Sequence, residues 1–104
     1  MTLAELKKIL DATGYPVAYS HFSSKQQPPF ICYLEDNSSN FSADNKVYHK
    51  GKDIFIELYT SKKDLVAEKK LEDLLDENEI PYDSDETYIE SEKIFQKIYE
   101  VRLI

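Results

Sequence analysis

Two stretches decide the fold: Phe30-Ile31-Cys32-Tyr33-Leu34-Glu35 and Asp53-Ile54-Phe55-Ile56-Glu57-Leu58-Tyr59-Thr60. Both are rich in β-branched and aromatic residues and free of Gly and Pro, the composition of strands. In the second, Ile54, Ile56 and Leu58 fall on one face, and Phe55, Glu57 and Tyr59 on the other. In the first, Phe30, Cys32 and Leu34 alternate with Ile31, Tyr33 and Glu35. The spacing predicts an antiparallel hairpin whose connection, about Asp36 to Lys46, is too long for a tight turn.

Working outward, Thr2-Leu3-Ala4-Glu5 is a capping-box signature. Leu3, Leu6, Ile9 and Leu10 follow on one helical face, and Gly14 and Pro16 stop the helix. A first helix is predicted over about 2–13, a short strand over Val17 to Phe22, and a loop from Ser23 to Pro29. Beyond the hairpin, Ser61 or Asp64 caps a second helix running to about Asn78, with Ala67, Leu71, Leu74 and Leu75 as its apolar stripe. Asp83-Ser84-Asp85 reads as a polar turn. Glu86 to Glu92 and Ile94 to Ile104 read as a final antiparallel pair. The order is α-β-β-β-α-β-β. It implies an α+β fold, a mostly antiparallel sheet with two helices packed on one face. The expected core is Leu6, Leu10, Ile54, Ile56, Leu58, Leu71, Leu74 and Leu75. The other sheet face, with Tyr33, Glu35, Phe55, Glu57 and Tyr59, need not be buried. A sheet edge is expected at the terminal strand.

Length and charge limit the function. The 104 residues make a single domain, 1–104, with one modest core. A net charge of −7 repels phosphate backbones, which argues against sequence-specific nucleic-acid binding. No apolar run is long enough for a membrane helix, and the N-terminus lacks a secretion-signal pattern. The lone Cys32 has no internal disulfide partner, and its alternation with Phe30 and Leu34 favours a buried apolar role. His21 and His49 lack companion ligands, so no metal site is expected. The glycines, Gly14 and Gly51, cannot build a phosphate loop. The carboxylates of the last third, Glu90 and Glu92 among them, read as a solvated or inter-subunit charge patch rather than an acid–base pair. No catalytic residues and no cofactor are expected.

Two regions are therefore candidates for contact. One is the polar connection, with Asp36, Asn37, Asn40, Phe41, Asp44 and Lys46, since a loop of this length commonly serves a function. The other is an exposed sheet face, with Tyr33, Phe55, Tyr59, Tyr88, Glu90 and Glu92, since aromatic-rich surfaces and open edges ask for partners.

Residues 30–50, 56–64 and 86–100 resemble stretches in small prophage proteins of low-GC Gram-positive bacteria. The chain is similar over nearly its whole length to the tail-completion group of long-tailed phages, which includes tail terminators, the tail-to-head joining proteins. The resemblance implies a virion part without enzymatic activity, made in the host cytoplasm and then placed at the tail–head junction. It implies self-association into a ring, a hexamer in the virion, that caps the tail-tube protein and docks to the head-connector protein. Other neck proteins, head-completion or adaptor subunits, are alternatives within that setting. A small prophage-encoded module directed at a host protein is the alternative outside it.

Overall fold

Helix α1 (Leu3–Asp11) starts where the capping box predicts. Thr2 Oγ1 accepts from the Glu5 amide at 3.1 Å, and Glu5 Oε1 accepts from the Thr2 amide at 2.8 Å. The computed structural model that shows this describes residues 1–36 and 52–103. Leu6 and Leu10 are fully buried, with Leu3 and Ile9 packed beside them. Gly14 ends the turn with φ +84° and donates its amide to the Asp11 carbonyl. That left-handed conformation suits glycine. Helix α2 (Leu65–Glu77) is capped by Asp64, whose carboxylate accepts from the Ala67 amide at 3.0 Å. Its buried seam is Ala67, Leu71 and Leu75. Leu74, expected in the core, is only partly covered, because at 3.6 residues per turn it flanks that seam.

The strands are β1 (Val17–Tyr19), β2 (Phe30–Glu35), β3 (Lys52–Thr60), β4 (Tyr82–Ile89) and β5 (Ile94–Leu103). They form one sheet in the order β1-β2-β3-β5-β4. Among the described strands, β1–β2 is parallel and the other pairs are antiparallel. The fold is α+β, with the element order read from the sequence. Both helices contribute to a single core cluster with Ile31, Tyr33, Ile54, Ile56, Leu58, Tyr99, Val101 and Leu103.

Three expectations are corrected. The β2–β3 register pairs Ile31 with Leu58, Tyr33 with Ile56 and Glu35 with Ile54. Residues opposite one another share a face, so Tyr33 and Glu35 lie on the helix side, and Tyr33 is 6% exposed. Asp83, Ser84 and Asp85 are strand rather than turn, because β5 pairs with all of β4. An edge strand tolerates this polar run, since its side chains reach water. The terminal strand β5 is not an edge. It lies between β3 and β4, and β4 and β1 are the edges.

Candidate functional site

The same registers define the sheet face opposite the helices. Phe30, Cys32 and Leu34 of β2 lie across from Tyr59, Glu57 and Phe55 of β3. Gln96, Ile98 and Glu100 of β5 come next, across from Tyr59, Glu57 and Phe55 in turn. Asp83 and Asp85 of β4 lie beyond Glu100 and Ile98. An aromatic row runs along one end. Phe30 stacks on Tyr59 with ring centroids 4.9 Å apart, and Phe22 meets Phe30 edge-on at 5.6 Å. Such pairs add about 0.5–1.5 kcal/mol each beyond area burial. No described helix covers this face; Phe30, Leu34, Phe55, Tyr59 and Ile98 are all half-buried.

A polar chain crosses its middle. Gln96 Nε2 donates to Tyr59 Oη at 2.9 Å, and Tyr59 Oη donates to Glu57 Oε1 at 2.9 Å. Burial holds the Glu57 carboxyl above the ordinary carboxylate range, though the Tyr59 hydroxyl works the other way. Burial and donation to Glu57 push the Tyr59 phenol up. Beside them, burial raises the Cys32 thiol to about 11, reinforced by the Glu57 charge. Cys32 therefore stays a protonated thiol at neutral pH, the opposite of an activated nucleophile. Its burial matches the sequence reading. Towards β4 the face turns acidic. Partial desolvation, with Asp36, Asp53 and Asp83 nearby, raises the Glu100 carboxyl.

A second polar cluster ties α2 to the β4–β5 hairpin. Lys63 Nζ bridges Glu68 Oε2 at 2.8 Å and Glu86 Oε1 at 2.6 Å. These two acceptors, Glu68 first, push the Lys63 ammonium up. The fully buried Tyr99 donates to Glu72 Oε2 at 2.7 Å. Burial, then this bond, raises the Tyr99 phenol. Each of these groups is paired, so the cluster reads as a clamp between helix and sheet.

Of the residues expected on an exposed face, Phe55 and Tyr59 come together, with Glu57 of the same strand between them. Tyr33 is in the core. Tyr88 is 43% exposed and meets Phe95 edge-on at 4.9 Å, but its row, with Phe95 and Thr60, points to the helix side. Glu90 and Glu92 are on no strand face. They sit in the turn between β4 and β5, which closes with the Lys93 amide on the Glu90 carbonyl and Lys93 at φ 54°. Asp36 ends β2's extension, its amide donating to the Asp53 carbonyl at 2.8 Å. Asn37, Asn40, Phe41, Asp44 and Lys46 lie outside the described residues. The sequence reading missed Phe22, Phe30, Leu34, Ile98, Asp83 and Asp85 as members of the face. The alternation in β2 grouped Phe30 with Leu34, but which β3 face that group joined depended on register.

Among the described residues, no group of three or more His, Cys, Asp or Glu could hold a metal ion, and no helix is long and apolar enough to cross a membrane. The chemistry this face offers is contact: apolar rings, a fixed hydrogen-bond chain and a carboxylate margin. No family model, characterised protein or solved structure matches the chain.

Proposed function

We propose that the protein is a structural subunit of a long-tailed phage or prophage particle, a tail terminator that joins tail to head. Copies of the chain form a ring on the end of the tail tube, and the ring receives the head connector. The observation that carries this reading is the sheet face over which no described helix lies, built of Phe30, Leu34, Phe55, Tyr59 and Ile98. Half-buried aromatic residues with a polar margin are the makings of a protein interface. The likeness of the sequence to tail-completion proteins gives the interface its setting. The net charge of −7 fits subunits that close only on a template, since like charges oppose unaided association at low salt.

Deleting the coding sequence from an inducible prophage tests the proposal. The expected result is separate heads and tails in the lysate, with joining restored by a copy supplied in trans. In the complementing copy, Phe55→Asp should fold and fail to restore joining. Infectious particles at normal yield from the deletion would overturn the reading.

A further inference from the structure

The outer edge of β4 is the longest open edge in the described sheet. Eight residues, Tyr82–Ile89, pair with β5 on one side and with no described strand on the other. The opposite edge, β1, has three residues. Protected edges commonly carry lysine, proline or a bulge. Within β4 there is neither Lys nor Pro, and its β5 register runs without a break. It carries Asp83, Asp85 and Glu86 instead, all exposed.

One contact shows how this edge is kept. Asp85 Oδ1 accepts from the Glu86 backbone amide at 2.9 Å. Along an antiparallel edge strand, alternate residues direct N–H and C=O outward. The Glu86 amide is thus an outward donor, as are those of Ser84 and Tyr88 two residues away on either side. The Asp85 carboxylate occupies the donor a docking strand would need. Next to it, Phe55, Asp83, Ser84, Asp85, Ile98 and Glu100 line a shallow groove. Its floor is apolar, from Phe55 and Ile98, and its rim carries three carboxylates. A lysine or arginine fits that arrangement, its stem on the rings and its head among the acids.

We propose that the β4 edge receives an extended, basic segment of a partner protein as an added strand. A cation on that strand draws Asp85 off the Glu86 amide, which then pairs with the strand's carbonyl. Main-chain bonds hold the segment, and alternate side chains select it. A second copy of β4 is not the occupant, because antiparallel self-pairing would bring the exposed Asp83 and Asp85 of one strand directly or diagonally opposite those of the other. This inference is independent of the tail reading and would stand if particles formed normally without the protein.

The probe is an end-blocked octapeptide alternating lysine and valine, titrated into the intact protein and followed by amide NMR. Shifts should centre on residues 82–89, exchange of the Ser84 and Glu86 amides should slow, and added salt should weaken the effect. Methylating alternate peptide nitrogens should abolish binding. The double variant D83K/D85K, with spectral dispersion showing that it folds, should bind the peptide at least about tenfold more weakly. It should also accept a glutamate–valine peptide. Asp85→Ala should admit a neutral threonine–valine peptide that the parent protein refuses. The proposal is overturned by no binding at millimolar peptide, by shifts centred on Phe30, Phe55 and Tyr59, or by equal binding of the methylated peptide. Concentration-dependent shifts at 82–89 in the protein alone would assign the edge to a second copy and overturn it as well.

Discussion

Strand β3 presents two different surfaces from one run of residues. Ile54, Ile56 and Leu58 are 0–1% exposed beneath the helices. Their neighbours Phe55, Glu57 and Tyr59 are half-buried on a face without a described helix. The covered face is apolar at its centre, and its buried polar side chains are paired, as Tyr99 is with Glu72. The open face mixes aromatic rings with a carboxylate, a phenol, an amide and a thiol. Buried polar groups stabilise a fold only when their hydrogen bonds are made. The open face makes them internally, through Gln96, Tyr59 and Glu57, and leaves its ring surfaces half-exposed. One face therefore specifies the fold, and the other is free to specify contacts.

Substitution on adjacent residues gives the largest separation. Ile56→Asp places an unpaired carboxylate in the core and should cost several kcal/mol, much of the roughly 5–15 kcal/mol available to a domain. Phe55→Asp, one residue away, should cost about 1–2 kcal/mol. Chemical denaturation of both variants checks this; equal losses would mean that the open face is also core. Tyr33 and Phe30 repeat the comparison on β2. Tyr33→Ala should cost about 3 kcal/mol, from lost burial and the cavity left behind. Phe30→Ala should cost about 1 kcal/mol, and the reverse order would refute the β2–β3 register.

A smaller effect probes the clamp on the covered side. Tyr99→Phe keeps the ring but removes its bond to the Glu72 carboxylate, at a cost of about 1–2 kcal/mol. The matching change on the open face, Tyr59→Phe, breaks its bonds to Glu57 and Gln96, but in a half-exposed setting where water can replace them, and should cost under about 1 kcal/mol. Thermal melts of the two should therefore differ in that order.

The smallest effect is in pH dependence. The folded-state pKa of Glu57 is raised by burial, so the native protein binds more protons than the unfolded chain between the ordinary carboxylate pKa and the raised one. The Glu57 contribution to stability is then most favourable on the acid side. It falls as pH rises through that window. Glu57→Gln removes this dependence while retaining an acceptor for Tyr59. Relative to the variant, the parent Tm should decline as pH rises from the ordinary carboxylate range through the raised one. A parallel pair of profiles would place Glu57 in water.

Local pattern carried much of the fold. The capping box at Thr2 and Glu5, the Asp64 cap, and the alternation in Asp53–Thr60 are interactions within a few residues, so they are visible without knowing the neighbours. The β4 reading failed for the same reason. Asp83, Ser84 and Asp85 look like a turn locally, and only the long β5 beside them makes them strand. Glu90 and Glu92 failed in the converse way, alternating like strand residues although they occupy a turn. The exposed-face assignment was half legible: Phe55 and Tyr59 follow from β3 alone, while Tyr33 requires its partner.

The sequence by itself determined the element order, the first helix start, most of the apolar stripe of each helix and the two faces of β3, because each is set by spacing along one segment. The tertiary structure decided what that spacing cannot hold. It chose which face of β2 joined the core, placed the final strand inside the sheet, left β4 at the edge, and assembled Cys32, Glu57, Tyr59 and Gln96 into one cluster. The physical reason is pairing. A strand's alternation offers two faces, and its register against a neighbour, fixed by what the helices must bury, selects one.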